Sequence, residues 1–600
     1  MIFHGRRRYF RPGKGVLLAS VGMALVAGVA TSASAQSYSA ATTCASLASV
    51  ALPVSSSITV AQTVSGGSFV NPDGSGTETG LPTFCRVSGF AAPTSDSHIG
   101  WEVWLPVSGW VGRYMQMGNG GLNGVMRYSY LGNSLQSNNV AAGTDGGHQS
   151  ASNTDATFAM GHPEKVTDLG YRALPVTHDI AMALINAFYG LAPQHSYFVG
   201  CSDGGREGLQ MAQRYPTYFD GILAGDPVNY ISHMQVAGIR LGQNMSAVGG
   251  FVSSAKLAAI QAAALASCPS AQLDPTDRTV VIDPRQCSFD PGVLLCSGTE
   301  TSSCLTSAEV TTVKGITQGT YNPVTGGLIF PGFFATNAAA STGWGPQWII
   351  GATPLAGGQF GNAYGMMGNA FYSNVAWDYT RFDLNSGTAS YDASAVAAVM
   401  NAINPNLSAF KAHGGKLIFY HGWEDAATSP LNTINYYNSV VRNNASTADG
   451  QVLDIAIGNP EYNSSTNPYA VPALQSVVAN SALSARAKML AAQAAQAAYA
   501  RSLATTQQFA KLYMVPGMDH CSGGPGAQSF AEVRGKGELV TALENWVESG
   551  TAPDRVVISK HASNSSTGAV LYTRPLCVYP KMQHYIGSGD ATSANNWVCQ

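Results

Sequence analysis

The chain is 600 residues long with a formal net charge of −3 and only 31 Lys plus Arg, so it has no basic stripe for nucleic acid. Charged residues are sparse at 11%, and uncharged Ser, Thr, Asn and Gln carry the solubility instead. The length predicts either two domains or one fold with a large insertion.

Residues 1–35 read as an export signal. Arg6, Arg7, Arg8 and Arg11 precede an apolar run over 16–30 and a small-residue exit at Ala33-Ser34-Ala35. The run is shorter than the roughly 20 residues that span a bilayer, so cleavage before Gln36 is expected in preference to a stable membrane anchor. Arg7-Arg8-Tyr9-Phe10 also resembles a twin-arginine signal. The mature chain is expected to be periplasmic or secreted. Ten cysteines follow the signal and none forms a C-x-x-C pair, which excludes a zinc ribbon or a thioredoxin-like site. Disulfides are the expected state in an oxidising compartment.

Residues 36–95 read as edge strands and loops, with alternation over 57–64. Two strands are predicted within 98–117 around a turn at 108–112, and the second runs into Gly118-Asn119-Gly120-Gly121-Leu122. Such a loop can be an ordinary hairpin connection. It can also supply an oxyanion-hole N–H from Gly120 or Gly121, because backbone without side chains can closely approach a developing O⁻. Residues 140–147 give a further strand and 168–187 a long helix. Residues 197–207, YFVGCSDGGRE, then read as strand, tight turn and helix. Gly200-Cys201-Ser202-Asp203-Gly204 is G-x-S-x-G in the context of a nucleophile elbow, with Ser202 exposed at the turn and the N–H of Asp203 as the second oxyanion donor. Another buried strand over 219–226 ends at Asp226.

From 227 to about 405 the α/β rhythm fails, and four of the ten cysteines and long Gly, Asn and aromatic stretches appear. This predicts an inserted lid. The expected organisation is signal 1–35, core 36–227, lid 228–405 and a second core segment 406–600. Regular order returns with a helix over 407–414 and a strand over 416–420 that leads to His421-Gly422-Trp423-Glu424-Asp425. An alanine-rich helix is expected over 482–506, and the last core strand, 509–515, precedes Pro516-Gly517-Met518-Asp519-His520-Cys521.

Ser202, Asp425 and His520 each follow a predicted strand, in the chain order nucleophile, acid, histidine. A serine hydroxyl needs an imidazole to take its proton, and the imidazole needs a carboxylate to hold its tautomer. Glu424 and Asp226 remain alternatives for the acid. Cys201 precedes Ser202 and Cys521 follows His520, so a serine–histidine hydrogen bond would bring both sulfurs onto adjacent loops, within reach of a bridge.

Together, GCSDGGREGLQMAQRYPTYFDGILAG, YHGWEDAATSP and PGMDHCSGG resemble the tannase and feruloyl esterase family. The resemblance implies an α/β-hydrolase fold with a large inserted lid and the triad Ser202, Asp425 and His520. It also implies the bridges Cys201–Cys521, Cys44–Cys85, Cys268–Cys287, Cys296–Cys304 and Cys577–Cys599. The expected activity is hydrolysis of esters of phenolic acids, feruloyl-like or galloyl-like, with no required cofactor and a small aromatic ester as partner. A terephthalate monoester is the alternative substrate, and a non-catalytic aromatic-binding protein is the alternative of another class.

Two departures from the family stand out. Members commonly bind calcium in the lid, and the matching stretch here is 273–284, with Asp274 and Asp277 as candidate ligands. Calcium takes six to eight oxygens, yet Arg278 stands near an expected acid and Pro275 and Thr279 replace expected glycines. Structural calcium and a loop held by its disulfide alone are both open. Residues 286–380 also lack arginine, which points away from a substrate with a free carboxylate, while Trp344, Trp348, Phe371 and Trp377 are candidates to stack on an aromatic acyl group.

Overall fold

The computed structural model describes residues 36–600 except 151, 153, 346, 458–483 and 534. The expected export signal therefore lies outside the described residues. The central sheet is built from nine strands: β1 (Ser56–Val64), β2 (Phe84–Ala91), β3 (Ile99–Pro106), β4 (Arg113–Met117), β5 (Val140–Thr144), β6 (His195–Cys201), β7 (Gly221–Gly225), β8 (Lys416–Gly422) and β9 (Ala510–Val515). They lie in the order β1-β2-β3-β5-β4-β6-β7-β8-β9. β2 is antiparallel to both of its neighbours, β1 and β3, β3 is antiparallel to β5, and every later pair is parallel. β7, β8 and β9 read GILAG, KLIFYHG and AKLYMV and are almost wholly buried. Continuous apolar runs of this kind are what parallel strands covered on both faces require, whereas edge strand β1 mixes half-buried with exposed positions.

The period of two along each strand divides the core. Leu417 and Phe419 of β8 pack on one face with helices α1 (Ala173–Tyr189), α2 (Asp203–Arg214) and α3 (Pro430–Asn443). Ile418 and Tyr420 pack on the other face with α4 (Glu538–Ser549) and the helix Tyr128–Gln136. The two strands predicted around the 108–112 turn are present as β3 and β4, but they do not pair with each other. The chain leaves β4 through the glycine loop and the helix Tyr128–Gln136 and returns as β5, parallel to β4 and between it and β3. A parallel return by a helical crossover sets this order.

β7 and β8 are sheet neighbours, so the 190 or so residues between them are an insertion that adds no strand to the sheet. They bury apolar residues in two clusters of their own. One contains Ile231, Ile239, Phe360, Met366, Trp377 and Tyr391, and the other Leu257, Val313, Ile316, Trp344 and Ile350. The first cluster also takes in Ala156, Val166 and Leu169, which precede the elbow. All ten cysteines are paired, in the five pairs that the family resemblance implies.

Candidate active site

β6 delivers the chain to Ser202, whose backbone stands at φ 66° and ψ −122°, and α2 starts at the next residue. A non-glycine residue at positive φ costs about 1–3 kcal/mol and persists only where its surroundings hold it. Here the Ser202 N–H donates to the Gly225 carbonyl of β7 at 2.9 Å and the Ser202 carbonyl accepts from the Arg206 N–H at 3.1 Å. The flanking glycines are required by close approach. A Cβ on Gly200 would lie 2.4 Å from the Gly204 carbonyl oxygen, and one on Gly204 would lie 2.8 Å from that of Asn119.

His520 follows β9. Its Nε2 accepts from Ser202 Oγ at 2.8 Å, and its Nδ1 donates to Asp425 Oδ2 at 2.7 Å. Asp425 follows β8, is 1% exposed, and is fixed by the N–H groups of Ala427 and Thr428, which donate to Oδ1 at 2.7 and 2.9 Å. Burial works to raise the pKa of Asp425, but His520 and His421 together hold it below the usual carboxylate range. The two other candidate acids point elsewhere. Asp226 accepts from the N–H groups of Gly422 and Cys521 at 2.8 and 2.6 Å. Both oxygens of Glu424 lie 2.7 Å from Thr336 Oγ1, and burial pushes its pKa up to about 8.

Several residues that shape the site carry no motif. His421 Nε2 lies 3.1 Å from Asp425 Oδ2 and 3.0 Å from the Thr428 carbonyl, so a single carboxylate oxygen faces two imidazoles. Burial opposes protonation of His421, but Asp226 and Asp425 outweigh it and raise its pKa. Glu207, buried on α2, accepts from the Asn119 N–H at 2.8 Å and from Asn119 Nδ2 and Asn123 Nδ2 at 3.1 Å each, which pins the glycine loop to the elbow helix. Arg206 is fully buried, forks onto Asp203, and donates to the carbonyls of Gly170 and Met400, tying the elbow to the insertion. The charged pair Arg206-Glu207, one residue beyond the elbow, was the available sequence signal for these last two. The Cys201–Cys521 bridge joins the elbow and histidine loops with Cα atoms 5.9 Å apart.

Ser202 and His520 open into a cavity of about 490 Å³, lined also by Gly120, Gly121, Asp203, Arg127, Gln359 and Trp348. This is a size suited to a small organic ligand. The N–H groups of Gly120, Gly121 and Asp203 have no acceptor among the described residues, and all three residues line this cavity. Trp348 meets the His520 ring edge-on at 5.0 Å. The other aromatic candidates lie away from this cavity. Trp344 is buried in the insertion, with its indole N–H donating to the Phe334 carbonyl, Trp377 stacks on Tyr364, and Phe371 packs against Tyr391. The aromatic richness of the insertion mostly fills its own core.

The residues of the expected calcium loop do not fit the ion. Both oxygens of Asp274 accept from Arg574, from Nε and Nη2 at 2.7 Å each, and Arg574 Nη2 also donates to Thr276 Oγ1 at 2.6 Å. Asp277 accepts from Thr279, and Asp283 from Arg285. A guanidinium from the C-terminal strand Val570–Cys577 thus stands where a divalent cation would need its first carboxylate. Among the described residues the groupings that could hold a metal are Cys201, Asp226 and Cys521, and Asp226, Asp425 and His520. The first contains the bridge sulfurs and the second the acid and histidine already hydrogen-bonded to each other.

Residues 85–600 match the family model described as tannase and feruloyl esterase. An uncharacterised esterase of Xanthomonas campestris pv. campestris is 38% identical over 582 residues, covering 94% of this chain and 92% of that protein. Mono(2-hydroxyethyl) terephthalate hydrolase of Piscinibacter sakaiensis is 28% identical, covering 86% and 85%. The crystal structure of feruloyl esterase B from Aspergillus oryzae superposes with a TM-score of 0.73 at 26% identity, over 93% of this chain and 99% of that one. The sheet is that of an α/β-hydrolase, and the chain belongs to the tannase and feruloyl esterase family.

Proposed function

We propose that this protein is an exported serine carboxylic ester hydrolase acting on esters of aromatic acids. The observation that carries the reading is the hydrogen-bonded line Ser202–His520–Asp425, which ends at a cavity with free N–H donors. Ser202 attacks the ester carbonyl as His520 takes its proton, and the imidazolium is stabilised by Asp425. The N–H groups of Asp203 and of Gly120 or Gly121 hold the oxyanion, His520 returns the proton to the leaving alcohol, and water then releases the acyl group by the same steps. Trp348, beside His520, offers an aromatic acyl group an edge or face to pack on. The insertion, which supplies Trp348 and Gln359 to the cavity, acts as its lid. Five disulfides support an oxidising, extracytoplasmic location.

The test is a panel of methyl ferulate, methyl gallate and a terephthalate monoester. At least one should be turned over, and Ser202→Ala should lower that turnover about a million-fold. Hydrolysis that survives in Ser202→Ala would overturn the assignment. The second substrate reading, a terephthalate monoester, is favoured by the Piscinibacter sakaiensis relative.

A further inference from the structure

The lack of arginine across residues 286–380 counted against a substrate with a free carboxylate. The cavity nevertheless contains one arginine, and it comes from the main body. Arg127 sits at the N-terminal cap position of the helix Tyr128–Gln136 and lines the same cavity as Ser202 and His520. Its Nη2 makes one long hydrogen bond, 3.3 Å, to the Gly120 carbonyl. Its Nε is buried without a partner, and the guanidinium forms no ion pair among the described residues. By contrast, Arg86, Arg172, Arg206, Arg285 and Arg574 each fork onto or pair with a carboxylate. The acid that shares the cavity lining with Arg127 is Asp203, and that carboxylate is taken by Arg206. Glu207, which pins the glycine loop, is taken by Asn119 and Asn123. The cavity therefore holds a guanidinium whose donors are largely unspent, packed against Gly120. A Cβ on that glycine would lie 2.8 Å from Arg127 Nη2.

We propose that Arg127 is a specificity residue that receives a carboxylate carried by the substrate, so that the enzyme favours esters bearing a free acid group in addition to the ester. The proposal rests on the reading of Ser202 as the nucleophile. A guanidinium matches a carboxylate in a planar fork, and such a charge-assisted pair is stronger than a hydrogen bond between neutral groups. A merely structural Arg127, holding the Gly120 carbonyl, would affect every ester alike. A receptor for an anion separates charged from neutral substrates.

The carboxylate can sit on either half of the ester, and two isosteric pairs distinguish the halves. Monomethyl terephthalate against methyl 4-carbamoylbenzoate tests the acyl half, and benzoyl glycolate against benzoyl glycolamide tests the alcohol half. The readout is the ratio of kcat/KM for acid over amide within each pair. In the parent enzyme at least one ratio should favour the acid, and added salt should erode it. Arg127→Gln should lower that ratio by about tenfold or more, chiefly through KM, with Arg127→Lys recovering part of it. The pair that responds identifies the half that carries the anion. An equal loss on all four esters, or ratios that stay where they were in Arg127→Gln, would overturn the proposal. The salt dependence of the parent ratio reads the same interaction without any variant, and a salt-independent ratio also counts against it. Turnover of none of the four esters by a parent that hydrolyses methyl ferulate or methyl gallate would bring down this proposal alone, and turnover of none of these six esters would bring down the esterase reading with it. Turnover of the amides without discrimination brings down the role of Arg127 alone.

Discussion

Asp425 at the end of β8 and Asp274 in the insertion are both buried, and each meets a nitrogen donor at 2.7 Å. Their partners make them different. Asp425 faces the imidazole of His520, which has a serine and a cavity on its far side. Asp274 faces the guanidinium of Arg574, which is itself enclosed by Tyr572 and Trp597. The contrast teaches that burial of a carboxylate says little about its task. What decides it is what the partner touches on its far side and whether there is space there for a substrate.

The largest effect that could break this contrast is on turnover. Asp425→Asn should lower kcat by about 10⁴-fold, because the amide no longer selects the tautomer that leaves Nε2 free to accept from serine. Near-normal steady-state turnover of Asp425→Asn would move the acid to another residue. Next in size is the insertion's own pair. Arg574→Met leaves Asp274 buried without its cation and should cost about 3–5 kcal/mol of stability by denaturant unfolding, with much of it restored when Asp274→Leu is added. EDTA should leave the unfolding midpoint of the parent where it is. A chelator shift as large as that of Arg574→Met would mean that a metal, and not the arginine, holds this loop.

The smallest effect sharpens the contrast with a third carboxylate. Among the described residues Glu424 has neither kind of nitrogen partner, only the Thr336 hydroxyl, and burial lifts its pKa from 4.5 to about 8. The folded chain therefore holds a proton at Glu424 that the unfolded chain releases between those values. This group's contribution to stability is complete below about 4.5 and falls as the pH rises through about 8. Glu424→Gln should accordingly show a smaller loss of Tm between pH 5 and pH 8 than the parent. Parallel Tm curves for the two proteins would remove Glu424 from the pH dependence.

The turns and strands that carry Ser202, Asp425 and His520 were legible in the sequence because each depends on local chemistry. Glycines flank a turn that admits no side chain, and buried parallel strands read as unbroken apolar runs that end at Asp425 and His520. What was not legible is nonlocal. The placement of β5 between β3 and β4 follows from a crossover, not from any residue in those strands. Arg574 lies 300 positions from Asp274, so the calcium-like loop could be seen to depart from its pattern but not to have acquired its own cation. The aromatic residues of the insertion have the same composition whether they line a cavity or fill a core, and only contacts separate Trp348 from Trp344, Phe371 and Trp377. Arg127 belongs with these, since its value lies in partners it lacks.

The bridge between Cys201 and Cys521 closes a covalent ring over a sequence separation of 320, which contains β7, β8, β9, the acid and the whole insertion. The ring begins and ends one residue outside the serine and the histidine. A single backbone cut anywhere inside it leaves two polypeptides instead of one, still fastened to each other at the point where Ser202 and His520 meet. Chain continuity and alignment of the reacting groups are thereby uncoupled, and a nicked molecule runs as one species until the bridge is reduced.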